Sequence, residues 1–278
     1  MSSMYILEAY LQGYEAELYL NEALMAKTTP DIPKRQIMVV NEWLKNGENL
    51  FRVAFKKVDN EALEKEQEAL QKMGGPKPFN ERDEPPYVRC EVTLREKTLA
   101  NFSDDSLGNL LAEFKWEPPV AGPVPIPSQQ VWLHPVQHDW GVWSWEKADI
   151  VTLTPSVLQE LVHYVTHLFN LIAASDLDGL LKEMEVKLQE FAACYGKTLE
   201  EVTAMTRAGL AETLNAQDFI LEPLDFTKMA PRLCCGGRVV ELLYQDDKPI
   251  LRSPTEWGPL YTLSVYVAQV NKTWKIIR

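Results

Sequence analysis

Apolar and polar side chains alternate along the first half of the chain. Every second residue from Tyr14 to Leu20 is apolar, and Glu15 and Glu17 lie between them, a period of two that is typical of a half-buried strand. Similar runs predict strands over residues 4–11, 14–24, 36–43, 49–55, 87–94 and 110–116, and a strand-like segment over 131–145. Residues 45–49 contain Asn and Gly, which tolerate the positive φ of a tight turn. The first half is therefore predicted to be antiparallel β structure.

Two segments of this half have a different pattern. Within residues 60–73, Leu63 and Leu70 are flanked by Glu and Lys residues. This pattern predicts an exposed helix that ends at Gly74. Residues 117–128 contain five prolines, and proline fixes φ and lacks an amide donor, so this stretch is predicted to be extended and semi-rigid.

The second half begins with helical periodicity. An apolar face recurs every three to four residues between 158 and 172, which predicts a first amphipathic helix. Two more helices are predicted over 177–195 and 199–214. Capping residues mark these helices: Thr154, Asp176 and Thr198 at the starts, Pro155 and Glu201 in the first turns, and Gly196 after the second helix.

The period returns to two after residue 216. Strands are predicted over residues 219–226, 232–244, 249–253, 260–269 and 274–278. The sequence thus predicts an α+β protein with a boundary near Thr154, giving a domain over residues 1–153 and another over 154–278.

Helices followed by an antiparallel meander that ends in VNKTWKII over residues 270–277 resemble a nuclear transport factor two-like domain. The resemblance covers residues 155–278 and implies helices packed into a curved sheet, forming a cone with one apolar pocket. That family includes isomerases, cyclases, dehydratases and pocket-bearing proteins without known catalysis. Its catalytic members place a carboxylate, a His or a Tyr inside the cone. The residues of that type here are His163, Tyr164, Asp218 and Tyr244, but none lies in a motif that fixes its role.

The first half resembles a jelly-roll or galactose-binding-like β-sandwich. The resemblance lies in residues 16–22 and 41–53, where a strand, a turn with Gly and Asn, and a second strand follow each other. Many domains of that kind bind no sugar. The predicted fold class is therefore an N-terminal antiparallel β-sandwich followed by a C-terminal cone of helices on a curved sheet.

The charge of the chain and its cysteine content indicate which classes of partner and which cellular compartment are expected. The chain has 40 acidic residues against 28 Lys and Arg, a net charge of -12, so we expect no nucleic acid partner. An acidic surface suits a basic protein partner, and it also keeps a protein soluble. The four cysteines form no C-x-x-C pair, which favours reduced thiols in a reducing compartment. No leader or spanning segment is recognisable, so we expect a cytoplasmic protein without membrane association.

Histidines and tryptophans are the candidate functional residues. The four histidines fall into two pairs with the same spacing, His134 with His138 and His163 with His167. The second pair shares one face of a predicted helix and could hold a metal together. No third ligand and no H-E-x-x-H motif accompany them, so the ordinary interpretation is that they are surface histidines and that the protein holds no metal. Tryptophans are dense in residues 131–145 and either form a ligand or partner surface or fill the core. The candidate surface comprises Trp132, Trp140, Trp143, Trp145, Tyr164 and Tyr244.

These patterns lead to two functional hypotheses. The first is a non-enzymatic binding or accessory protein that acts through a pocket or a surface patch, toward a small molecule or a basic protein partner. The alternative is a small-molecule enzyme of the isomerase, cyclase or dehydratase type that uses the C-terminal cavity. We expect no cofactor in either case, and the family resemblance is compatible with a homodimer.

Overall fold

The computed structural model describes residues 3–12, 15–28, 34–56, 89–98, 108–116, 129–216, 219–255 and 258–278. The contacts divide the chain into two compact units, residues 1–138 and residues 139–278. The fold is mixed α+β, with a β-rich N-terminal unit and helices on a sheet in the C-terminal unit. The predicted helix over 60–73 and the proline-rich stretch over 117–128 lie outside the described residues.

Two antiparallel sheets of four strands make up the described part of the N-terminal unit. The strands are β1 (Ser3–Gln12), β2 (Glu15–Leu20), β3 (Ala23–Thr28), β4 (Lys34–Val39), β5 (Gly47–Lys56), β6 (Arg89–Thr98), β7 (Asn109–Trp116) and β8 (Gln129–Val136). One sheet has the order β4-β1-β6-β7 and the other the order β3-β2-β5-β8. The aromatic rings of Phe51 on β5 and Phe114 on β7 lie 5.2 Å apart. Side chains of the two sheets are therefore in contact.

The alternating pattern predicted segments that overlap each of these strands, but it missed two turns. The strand predicted over 14–24 is two strands, because Asn21 and Glu22 have φ values of 48° and 70° and reverse the chain between β2 and β3. The strand predicted over 36–43 ends at Val39 and continues as a short 3-10 turn. Just beyond the end of this strand, the buried side chain of Asn41 accepts a hydrogen bond from the amide of Tyr5 at 2.6 Å.

The C-terminal unit contains five helices and six strands in its described residues. The helices are α1 (Ser144–Lys147), α2 (Pro155–Ala173), α3 (Leu177–Glu183), α4 (Glu185–Tyr195) and α5 (Leu199–Leu214). The strands are β9 (Arg232–Cys234), β10 (Val239–Glu241), β11 (Leu251–Thr255), β12 (Gly258–Leu263), β13 (Tyr266–Val270) and β14 (Thr273–Ile276). They form a sheet in the order β14-β13-β10-β9 and a separate β11–β12 hairpin.

All three helix caps predicted from the sequence are confirmed. The side chains of Thr154, Asp176 and Thr198 each accept a hydrogen bond from an amide of the helix that follows. Gly196 ends α4 in the left-handed conformation, at φ 61°. Local side-chain chemistry sets these boundaries, so a single sequence can reveal them.

Four other predictions for residues 131–244 are wrong in detail. The helix predicted over 177–195 is interrupted at Met184, where ψ is 2°. Residues 219–226 form no strand in their described length, and the strand predicted over 232–244 is interrupted by a turn at Cys235–Gly237, where all three residues have positive φ. The strand-like segment over 131–145 becomes β8 and then the short helix α1.

The core of this unit lies between α2 and the sheet. Its largest fully buried side chains include Leu161, Leu168, Leu242, Ile250 and Leu251. A smaller apolar cluster joins α3, α4 and α5. Within the described residues, none of the helices has both the length and the apolar character that crossing a lipid bilayer requires.

Candidate functional site: an apolar pocket between helices and strands

A pocket of about 140 Å³ lies between the helices and the strands of the C-terminal unit. The helices contribute aliphatic side chains from one turn after another, and the strands close the other side. Its apolar lining consists of Leu168, Ile172, Leu180, Met184, Leu210, Leu251, Leu263, Val265 and Ile276. A cavity of roughly 150 Å³ with a similar aliphatic lining is large enough to hold benzene in a well-studied protein. The pocket therefore has room for one ring or a short aliphatic chain.

Four polar residues complete the lining. Thr262 and Ser264 are exposed, Lys187 is half-buried and Arg278 is buried. None of the described lining residues is Asp, Glu, His, Tyr or Cys. The pocket thus combines an aliphatic interior with hydroxyl groups and cations.

Arg278 is in contact with an acidic and an aromatic side chain. Only 3% of its surface is exposed. Its Nη1 donates to Glu190 Oε2 at 2.7 Å, and its guanidinium carbon lies 4.3 Å from the centre of the Trp143 ring. Glu190 also accepts a hydrogen bond from the amide of Ser144. Because the charge is paired and stacked, burial of this guanidinium is tolerated.

Lys187 lies on α4, and its ammonium nitrogen is 5.3 Å from the centre of the Phe191 ring. A lysine carries its charge on a flexible stem of four carbons, so its position adapts more easily than that of a stacked arginine. The sequence pattern did not indicate Lys187 or Arg278 as functional residues. Their signals in the sequence are faint: a basic residue within the apolar pattern of a helix, and a basic residue after the run TWKII.

The candidate residues on α2 lie outside this pocket. The hydroxyl of Tyr164 donates to Glu183 Oε2 at 2.9 Å, and His167 Nε2 lies 3.5 Å from Glu183 Oε1. Burial, followed by the hydrogen bond to Glu183, raises the pKa of Tyr164 well above its usual range. The exposed His163 has Gln159 as a neighbour, with 3.1 Å between the side-chain nitrogens. Glu183 therefore brings Tyr164 and His167 together, whereas His163 has a different partner.

Tyr244 is also buried and engaged in contacts with neighbouring residues. It is 3% exposed, its hydroxyl accepts a hydrogen bond from the amide of Asp225 at 3.1 Å, and the guanidinium of Arg252 lies 4.9 Å from its ring centre. Asp218, the remaining residue of catalytic type, lies outside the described residues. In the part of the chain that the structure describes, no group of three His, Cys, Asp or Glu is arranged to hold a metal ion.

The four tryptophans of residues 131–145 differ in exposure. Trp143 and Trp145 are 2% and 3% exposed, so their rings are packed in the interior. Trp132 is half-buried and its ring stacks 5.1 Å from that of Phe114. Trp140 is half-buried, with its ring centre 6.0 Å from that of Trp143. A tryptophan surface for a ligand or partner remains a prediction, and Trp132 and Trp140 are the members with accessible area.

All four cysteines are buried, and none of them forms a disulfide bond. Burial raises the pKa of the Cys90 thiol to about 12, which keeps it protonated at neutral pH.

No protein-family model matches this chain, and no curated protein or solved structure is significantly similar to it. The two family resemblances therefore rest on the order of the elements and on short sequence runs.

Proposed function

We propose that this protein is a binding protein that holds a small apolar molecule in the pocket between the helices and strands of its C-terminal unit. The observation that carries this proposal is the aliphatic lining of a pocket of about 140 Å³. Binding sites for small molecules are concave and mostly apolar, with few polar groups that orient the ligand. This pocket is smaller than most such sites, so its ligand is small.

The composition of the lining favours binding over catalysis. Acid–base chemistry in a pocket needs a titratable group within hydrogen-bond reach of the ligand. Among the described lining residues there is no carboxylate, imidazole or phenol, and the amine of Lys187 is the only side chain of a type used in general acid–base catalysis. The hydroxyls of Tyr164 and Tyr244 are engaged with Glu183 and with the Asp225 amide. The alternative of an isomerase, cyclase or dehydratase has no comparable support.

We also propose that the N-terminal unit is a β-sandwich and that the C-terminal unit is a cone of helices on a curved sheet. The contact between Phe51 and Phe114 supports a β-sandwich in the N-terminal unit, with the two sheets facing each other. The pocket between α2 and the strands supports a cone in the C-terminal unit. Both arrangements agree with the resemblances found in the sequence.

An accessory role toward a basic protein partner is the second part of the proposal. It is supported by the net charge of -12 alone. Such a partner would bind through the surface, whereas the small molecule would bind in the pocket.

Toluene is a suitable neutral probe of the pocket, and its binding can be followed by chemical-shift titration and by the melting temperature. Leu210 is half-buried and lines the pocket, so Leu210→Trp is expected to fill the cavity and abolish toluene binding. Met205→Trp is the matched control, because Met205 lies on the same helix, is 62% exposed and does not line the pocket. Absence of toluene binding in the unmodified protein, or equal binding by both variants, would refute the pocket as a ligand site.

A further inference from the structure

A polar pocket of about 180 Å³ lies in the N-terminal unit, on one face of the sheet that contains β1 and β6. Five described residues of these two strands line it: Glu8, Tyr10, Glu91, Thr93 and Arg95. Glu8 pairs with Thr93 across the strands, and Tyr10 pairs with Glu91. Because side chains alternate between the two faces of a strand, this lining lies on the face opposite to the buried Leu94.

Two buried polar atoms of the lining have no hydrogen-bond partner among the described residues. They are the hydroxyl oxygen of Thr93 and the Nε of Arg95. Thr93 is only 4% exposed. The Nη1 of Arg95 donates to the carbonyl of Gly108 at 3.5 Å, but its Nε lies 3.8 Å from Glu8 Oε2, which is too far for a hydrogen bond. A buried polar group without a partner costs free energy, so a ligand that brings an acceptor to both atoms removes this cost.

Charges of both signs surround these two atoms. The side chains of Glu8, Glu91 and Arg95 are 17%, 21% and 26% exposed, so solvent screens their charges only in part. Glu8 also accepts a hydrogen bond from Arg35 at 2.6 Å. An ionised carboxylate has about four acceptor sites, so a glutamate that already has a partner accepts a further donor. A simple anion would meet two carboxylates and a simple cation would meet a guanidinium, which favours a ligand with both charges.

We propose that this pocket binds a small zwitterion of the amino acid class. The ligand carboxylate accepts from the Thr93 hydroxyl and from Arg95 Nε, and the ligand ammonium donates to Glu91. These three residues follow each other at every second position of β6, about 7 Å apart, so the acidic and basic ends of the lining lie on either side of Thr93. A cavity of roughly 150 Å³ holds benzene, so the pocket has room for an amino acid with a small side chain.

The test is a chemical-shift titration of the full chain at pH 7 with four compounds of similar size. Alanine is a zwitterion, propionate lacks the ammonium, ethylamine lacks the carboxylate, and propionamide is neutral. We expect alanine to shift the amides of β1 and β6 and to bind about tenfold more tightly than each of the others, which lack at least one charge-assisted hydrogen bond. If alanine does not bind, or binds no more tightly than propionamide, the inference is overturned, and the apolar pocket of the C-terminal unit is unaffected.

Thr93→Val removes the hydroxyl and keeps the shape of the side chain. We expect it to weaken alanine binding about tenfold. Because the hydroxyl is buried without a described partner, the melting temperature of the unliganded variant should stay the same or rise. Thr98→Val is the matched control, since Thr98 lies on the same strand and does not line the pocket. Unchanged alanine affinity in Thr93→Val would overturn the inference.

Glu91→Gln tests the position of the ammonium. It removes a negative charge from one end of the lining, so we expect the preference for alanine over propionate to fall about tenfold. Glu113→Gln makes the same change of net charge at an exposed residue of β7 that does not line the pocket, and it should keep the preference. A preference that persists in Glu91→Gln would contradict the proposed contact between Glu91 and the ammonium and would overturn the assignment of a zwitterion.

Discussion

Asn49 is fully buried, and its side chain makes four hydrogen bonds within the N-terminal unit. Its Oδ1 accepts from Asn21 Nδ2 at 2.8 Å and from the Lys45 amide at 3.0 Å. Its Nδ2 donates to the carbonyls of Lys45 at 3.0 Å and Gly47 at 2.9 Å. One amide side chain thus organises the turn before β5 and connects it to the turn after β2.

Asn49→Ala removes all four of these bonds and leaves buried partners without replacements. Each unsatisfied buried polar group costs about 1–3 kcal/mol, so we expect the free energy of unfolding to fall by about 3 kcal/mol or more. Urea denaturation measures this change. Glu48→Ala is the control, because Glu48 is the exposed neighbour of Asn49 at the start of β5, and its effect should stay within about 0.5 kcal/mol. Equal effects of the two variants would contradict a structural role for Asn49.

Single residues also show which parts of the site the sequence could reveal. Thr198 was identified as a cap because its hydrogen bond is made to the next few residues of the chain. Lys187 and Arg278 could not be identified, since their meaning depends on a pocket formed by segments as distant as Leu168 and Leu263. Interactions between residues that are close in the chain can be predicted from the sequence. A site formed by residues from distant elements can be identified only when the fold is known.

At the scale of the element, α5 depends on the capping box at its start. The hydroxyl of Thr198 accepts from the Glu201 amide at 3.2 Å, and Glu201 Oε2 accepts from the Thr198 amide at 2.8 Å. Thr198→Ala removes the first of these bonds, and loss of such a cap costs about 1 kcal/mol. Thermal unfolding followed by circular dichroism measures the loss. Thr203→Ala, within the same helix, keeps the cap and should not reproduce it.

The same capping box makes the stability of α5 depend on pH. Hydrogen bonds from the backbone and side chain of Thr198 lower the pKa of Glu201 below its ordinary value of 4.5. A lowered pKa means that the ionised form favours the fold. The stabilisation is therefore complete above the unfolded-state pKa and is lost as the pH falls through the folded-state pKa.

Glu201→Gln cannot ionise, so it should lower the melting temperature at pH 7 and have little effect near pH 3. Melting curves of the two proteins between pH 7 and pH 3 test this convergence. A difference that stays constant over this range would show that the charge of Glu201 does not contribute.

Elements were predicted best where their pattern was long and ended at a clear cap. β1, β5 and α2 agree with the prediction to within a few residues. The strand predicted over 219–226 was wrong because alternation alone does not supply a pairing partner: the amide of Glu222 bonds to the carbonyl of Arg252 at 2.8 Å, as an isolated contact rather than a ladder. The interruption of the predicted helix at Met184 could not be predicted, because no Gly or Pro lies next to Met184 in the sequence. Packing, rather than propensity, determines such features.

At the scale of the whole molecule, the sequence pattern and the contacts place the start of the second folding unit at different residues. The sequence predicts its start at Thr154, where a helix cap follows the strand-like segment. The contacts place residues 139–153 with the C-terminal unit. Within that unit, the amide of Val151 donates to the carbonyl of Gly237 at 2.7 Å, and that of Asp149 donates to the carbonyl of Gln269 at 3.3 Å.

Two fragments distinguish these boundaries. Residues 139–278 retain Trp143, Trp145 and Val151, whose exposed fractions are 2%, 3% and 5%, whereas residues 154–278 lack all three. Full burial of one large apolar side chain contributes about 1.5–3 kcal/mol, and the shorter fragment would also leave Arg278 without the Trp143 ring. We therefore expect the longer fragment to unfold cooperatively and to be more stable by at least about 3 kcal/mol. Urea denaturation of both fragments measures this difference. Equal stability would mean that residues 139–153 are dispensable for the C-terminal core, and the boundary at Thr154 would then describe the folding unit better than the contacts do.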